Sequence, residues 1–193
     1  DYWKSEPDNG ISDALNKGIA NSSGEYIVYL HADDYFYDNL SIETALNTIS
    51  DDIDILAFDI YFERKGKRKL GKPRGFGWYT NFKMPFYHPG VLCKRSLFDK
   101  LGGFDPSFKI AMDYDFLLRA FRINASYSIE PEVLTVFRNT GVSSREDWGS
   151  LKQRFAEEKK AHDKNCKSKG LFFLYQFWWF FYPLYRKLRY YFD

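Results

Sequence analysis

The chain has 193 residues, of which 45% are hydrophobic and 28% charged, and its formal net charge is +2. That length holds one domain with its own core plus an appendage, and the near-balance of charge argues against a nucleic-acid footprint, which needs a strongly basic face. Cys93 and Cys166 are too few for a disulfide framework and lack metal-type spacing, which fits a reducing compartment.

In chain order, Ser5 to Gly10 is turn chemistry, with proline and glycine among acids and an amide. Ser12 to Ala20 has helical spacing through Ala14, Leu15 and Ile19, and Asn21 to Gly24 closes it. Glu25 to Leu30 is a short run of buried-strand type, ending in His31, Ala32, Asp33 and Asp34. Acids beyond the carboxyl end of a buried strand mark the ligand edge of an α/β sheet. Ser41 to Ile49 reads as a helix and Ile53 to Phe62 as a strand, and the basic run Arg64 to Lys69 as a solvated hairpin tip or loop. Gly75 to Gly90 is irregular, limited by Pro85 and Pro89. Leu97 to Leu101 is a short helix closed by Gly102 and Gly103. Asp113 to Arg122 is a helix with an apolar stripe of Phe116, Leu117, Ala120 and Phe121. Ala125 to Ile129 and Val133 to Phe137 read as terminal strands, and residues 151–169 as a polar helix or linker. The expected organisation is thus a main domain over residues 1–150, a polar segment over 151–169 and an aromatic-basic segment over 170–193.

Three groups of residues carry candidate chemistry. Asp33 and Asp34 repel each other, and a hard divalent cation relieves that repulsion while leaving positions for phosphate oxygens; the alternative is a cap or a solvated turn. Asp113 at a helix start could take a proton from an attacking hydroxyl, or serve as an N-cap. Asp115 could pair with Arg119 four residues on, its structural reading, or join an acceptor site. His88, between Tyr87 and Pro89, is a candidate acceptor contact or a packed loop residue.

Taken in order, Ser5 to Ile11, Asp13 to Ile19, Gly24 to Ile27 and His31 to Asp34 resemble family 2 glycosyltransferases. Gly102 to Asp105, Met112 to Arg119 and Val136 to Ser143 resemble the acceptor half of the same family. The resemblance runs over residues 3–145 and implies an α/β fold of GT-A type, a Rossmann-related mixed sheet flanked by helices. It implies Asp33 as a metal ligand with Asp34 sharing the load, Mn²⁺ or Mg²⁺ as the ion, and Asp113 as the base. His31 stands where the family has an acid or amide, and Met112 where many members have an acid. Asp8, Asn9 and Gly10 match a turn near the donor, with Asp13, Asn16 and His31 as further donor-binding candidates; for Asp8 to Asn16 helix caps and scaffold hydrogen bonds are the alternative. His88 and Asp115 complete the set on the acceptor side. The implied reaction is inverting transfer of a sugar from a nucleotide-diphosphate sugar, expected to be a UDP-sugar, onto a glycan or lipid-linked acceptor, with one displacement and one inversion. In the family a first strand and a base-binding aspartate precede the region that starts here. Hence a second expectation: a truncated, non-catalytic, membrane-bound partner. A nucleotidyltransferase would need a glycine-rich basic loop that the chain lacks.

Gly170 to Tyr185 is nearly apolar and rich in aromatics, then turns basic at Arg186, Lys187 and Arg189. As a helix its apolar part would be about 22 Å long, short of the ~30 Å hydrocarbon core. Trp, Tyr and cations favour the interface. The expectation is a peripheral anchor on the cytoplasmic face of the cell membrane; the alternative is a helix packed on the domain or in a dimer seam.

Overall fold

The computed structural model describes residues 3–49, 53–138 and 147–192. Its hub is β3, Ile55–Arg64, whose first residues are buried on both faces, as a continuous apolar run dictates for a central strand. The first part of β3 pairs antiparallel with β5, Val91–Lys94, and its second part with β4, Lys67–Gly71. Along its other edge runs β6, Tyr127–Arg138, in parallel. β1, Tyr26–Val28, lies outside β5, and β2, Tyr35–Phe36, outside β6. The order β1-β5-β3-β6-β2 makes a mixed sheet in an α/β fold.

Sequence periodicity finds β1 and β3, passes over β2 and β5, and errs where tertiary pairing overrules it. The two terminal strands expected between residues 125 and 137 are one strand, β6. Pro131 lacks the N–H that a ladder needs; the register jumps there, with Phe58 opposite Glu130 and Asp59 opposite Val133, and pairing continues. β5 is too short to display a period. The basic run does form a hairpin, whose turn residues Lys65 and Gly66 have φ of 51° and 72°. Positive φ at both positions matches the right-handed twist of the flanking strands.

Helices cover both faces of the sheet. On one side α1 (Ile11–Asn21), α3 (Arg95–Leu101) and α4 (Met112–Arg122) enclose Ile27, Ile55, Ala57, Phe98, Phe104 and Phe116. On the other, α2 (Ser41–Asn47) seats Ala45 against Leu56, Phe58 and Leu134. Two arginines staple loops to this frame. Arg95 donates to the carbonyls of Ile19 and Gly24 and to Ser22 Oγ, and Arg119 donates to the carbonyls of Leu101 and Gly103.

The polar segment is a helix, α5 (Trp148–Lys164), N-capped by Asp147, which accepts from the Ser150 N–H. The aromatic segment is α6 (Lys169–Phe192). One face of α6 is packed: Tyr175 and Trp179 join Leu151 and Phe155 of α5 and, with Phe82 at its edge, build a third core. The opposite face leaves Phe173, Phe177, Phe180 and Leu184 in solvent. No described helix is long and apolar enough to cross a membrane.

Candidate active site

The turn after β1 brings the acidic pair to the sheet's edge. The Asp34 N–H closes on the His31 carbonyl at 3.0 Å, and Asp34 Oδ1 accepts the backbone N–H of Arg138 at 2.9 Å. β6 therefore ends against the acids. Asp34 is 7% exposed, and its Oδ2 is buried without a hydrogen-bond partner. Burial pushes its carboxyl above the usual range, and Asp33 beside it adds to the rise. Asp33 itself is exposed.

Facing this turn is the start of α4. Asp113 Oδ1 accepts the N–H of Tyr114 at 2.7 Å. Burial at the base of a concavity lifts its pKa to about 6; Glu158 and Glu157 of α5 add to the rise, and the Tyr114 N–H opposes it. Such a carboxylate is ionised at neutrality yet basic enough to accept a proton.

His31, Asp33, Asp34 and Asp113 line one cleft of about 380 Å³. Its walls are otherwise largely apolar, including Ile60 and Phe62 of β3, Phe137 of β6, and Met84 and Phe86 of the irregular segment. His88 completes the floor, its ring 5.5 Å from that of His31 and stacked on Tyr29 at 5.3 Å. Burial, with His31 nearby, lowers the His88 pKa to about 3, so the ring is neutral, and its Nε2 has no partner.

The remaining sequence candidates fall elsewhere. Asp115 is a correction to the acceptor-site expectation. It is 0% exposed, one oxygen accepts from Arg119 and the other from Asn165 at 2.9 Å each. Its place on the inner face of α4 commits it to joining α4 and α5. Asp8, Asn9, Gly10, Asp13 and Asn16 also lie away from the cleft, to which α1 turns Ile11 and Leu15 instead. Asp8 accepts the Gly10 N–H, Asp13 accepts the Asn9 N–H and pairs with Lys17, and Asn16 bonds both the N–H and the carbonyl of Phe104. They are turn and scaffold bonds, the alternative that the sequence had left open. Asn139 to Ser143 lie outside the described residues.

Two cleft cations were not singled out from sequence: Lys109, exposed at the lip before α4, and Arg138, at the end of β6. A basic residue after a strand was the available signal, but only the sheet order sets Arg138 beside Asp34. Among the described residues no three His, Cys, Asp or Glu side chains are gathered closely enough to hold a metal unaided. Asp33 and the orphaned oxygen of Asp34 nevertheless suit a hard cation that takes its remaining ligands from phosphate and water.

The fold has counterparts of known structure. S. aureus TarS 1–349 in complex with UDP-GlcNAc superposes with a TM-score of 0.57 at 14% identity, over 79% of this chain and 47% of that one. The mannosyltransferase PcManGT from Pyrobaculum calidifontis, in complex with GDP-Man and Mn²⁺, gives 0.54 at 18% identity, over 84% and 46%. In sequence, an uncharacterized glycosyltransferase of Mycobacterium tuberculosis is 33% identical over 165 residues, covering 76% of this chain and 57% of the relative. A PGL/p-HBAD biosynthesis glycosyltransferase of Mycobacterium bovis is 23% identical over 162 residues, covering 79% and 57%. The chain thus spans little more than half the length of these relatives. The sequence model described as Glycosyl transferase family 2 matches residues 3–114, from the first turn to the helix that carries Asp113. A mixed sheet with acids from the turn after β1 and from α4 lining one cleft, and a family match that takes in both, lead to one assignment: the chain belongs to glycosyl transferase family 2.

Proposed function

We propose that this chain carries the transfer centre of a metal-dependent, inverting glycosyltransferase that uses a nucleotide-diphosphate sugar, with a UDP-sugar as the first donor to test. The observation that carries the reading is the shared cleft: Asp33, Asp34 and Asp113 all line one hollow of about 380 Å³, within the range of small-molecule sites.

Asp33 and Asp34 would hold Mn²⁺ or Mg²⁺, which when bound neutralises charge building on the leaving diphosphate. Arg138 and Lys109 flank the same space and offer further positive charge to phosphate oxygens. Asp113 accepts the proton of the acceptor hydroxyl as that oxygen attacks the anomeric carbon from the face opposite the diphosphate. One bond forms as one breaks, so the anomeric configuration inverts. The apolar wall of Ile60, Phe62, Met84, Phe86 and Phe137 excludes water from the reacting atoms. His88, neutral and with Nε2 unpartnered, offers a hydrogen bond to an acceptor hydroxyl.

The acceptor in this reading is a glycan or a lipid-linked sugar, and the protein works at the inner face of the cell membrane. Support comes from α6, whose solvent face shows Phe177 and Phe180, with Arg186, Lys187 and Arg189 near its end. Aromatic and basic residues together favour an anionic bilayer surface.

Calorimetric titration with UDP, with and without Mn²⁺, tests the donor side. Metal should tighten binding, and Asp33→Ala and Asp34→Asn should each remove that gain. Metal-independent binding in all three proteins would sink the cation site. Anomer-resolved NMR of the transfer product should show inversion, and a retained configuration would overturn the single-displacement step.

A further inference from the structure

Glu157 lies on α5, remote in sequence from every cleft residue and outside the cleft lining. Its carboxylate nevertheless collects three consecutive backbone donors: the N–H groups of Lys109 at 3.0 Å, Ile110 at 2.7 Å and Ala111 at 2.9 Å. Those residues lead directly into α4, whose N-cap position, Ala111, has no side chain able to cap it. A helix start leaves backbone donors unpaired, and a carboxylate there is favoured by both hydrogen bonding and the helix dipole. Lys109 and Ile110 also form the lip of the cleft beside Met112 and Asp113.

We propose that Glu157 is a positioning residue for the transfer reaction, a carboxylate borrowed from α5 that fixes the cleft lip and aims Asp113 at the acceptor. The proposal rests on the glycosyltransferase reading of the cleft. Its physical basis is that three charge-assisted bonds at successive residues leave the lip one backbone path, and a misplaced base costs rate steeply. Glu157 also adds negative charge behind Asp113. The charged and titratable groups around Asp113 are Glu157 and Glu158 from α5, Lys109 from the lip, His31, Asp33, Asp34, Tyr87, His88 and Arg138 along the rest of the cleft, and Tyr29 and Cys93 in the small hollow adjoining it. Lys83, Arg154 and Arg186 in turn act on Glu158.

Three substitutions separate aim from charge. Glu157→Asp keeps the charge but shortens the reach, so kcat should fall about tenfold with the acid limb of the pH profile unmoved. Glu157→Gln keeps the length and removes the charge, so the acid limb should move to lower pH. Glu157→Ala should lose about a hundredfold in kcat while UDP affinity stays within about twofold. A purely structural Glu157 would lower Tm in all three and leave kcat and the acid limb unchanged below the transition, and that result would overturn the proposal. If the unaltered protein transfers no sugar, the function reading fails by itself. The positioning claim is then read from amide exchange at Lys109 to Ala111 and from the Asp113 carboxyl resonance, assigned with Asp113→Asn. Faster exchange in Glu157→Ala with a shifted titration in Glu157→Gln supports it, and no change in either rejects it.

Discussion

Asp113 bears its charge at a cost, because its carboxylate is held at a site that favours the neutral acid. Its pKa rises from an ordinary 3.8 to about 6, so the folded protein binds more protons than the unfolded chain between those values. Stability from this group is therefore present at low pH and lost as pH rises toward 6. Asp113→Asn removes that penalty at pH 7 and also removes the proposed base. We expect a gain of about 1 kcal/mol, reduced from the full shift because the group is partly open to solvent, and so a Tm a few degrees higher by calorimetry. Transfer should fall by at least ~10²-fold. A variant less stable than the parent at pH 7 would contradict the desolvation argument. His162 behaves oppositely. It is fully buried, accepts the Trp179 indole N–H at 2.9 Å on Nδ1, and its Nε2 lies 2.8 Å from the Tyr114 hydroxyl. That hydroxyl gives its own proton to the Thr80 carbonyl, which makes the imidazole a neutral Nε2–H donor. Burial, with Arg122, Lys159 and Lys83, lowers its pKa to about 3. Its contribution is complete above the unfolded value near 6.5 and drains away as pH falls toward 3. In the parent protein, protonation of Asp113 offsets part of that loss between pH 6 and 4. The drop in Tm from pH 7 to 4 should therefore be larger in Asp113→Asn than in the parent.

Among the elements, β3 and α6 carry the sharpest expectations. Gly90 lies where β3 passes beneath the short 3₁₀ turn His88–Gly90. A Cβ there would sit 2.5 Å from Ile60 Cγ2 and 2.8 Å from the Phe58 carbonyl oxygen. Backbone cannot yield as a side chain can, so Gly90→Ala should cost about 1–3 kcal/mol in urea unfolding; a neutral result would mean the turn shifts freely against β3. α6 offers a contrast within one helix. Trp179 is 9% exposed and donates to His162, so Trp179→Ala opens a void and strands a buried acceptor, at about 3–5 kcal/mol. Phe180, the next residue, is 73% exposed, and Phe180→Ala should stay within about 0.5 kcal/mol. Equal losses at both positions would deny that α6 has one packed face.

For the whole molecule, the consequence of that sidedness is that the proposed membrane contact and folding can be tested separately. Phe177→Glu with Phe180→Glu should leave the unfolding midpoint nearly unchanged but abolish flotation with vesicles containing anionic phospholipid. Undiminished flotation would place the membrane contact elsewhere. Deletion of residues 170–193 is a poor test, because it would uncover Leu151, Phe155 and His162 as well.

The family assignment and the base candidate were legible in the chain itself, since the ordered acidic motifs, the apolar stripe of α4 and the aromatic-basic segment are local patterns. Local periodicity reports which way a side chain faces along its own element. It does not report which distant backbone will arrive opposite. Asp34 meets Arg138 across a separation of 104 residues, and Glu157 meets Ala111 across 46. Sheet order and helix packing decide such meetings, because an isolated carboxylate gains little until long-range burial brings it donors and removes water. The same cause turned Asp115 and Asn16 into scaffold residues, whose spacing fits a site as well as a strut. It also gave α6 a buried and an open side, a division invisible in a segment apolar almost all round.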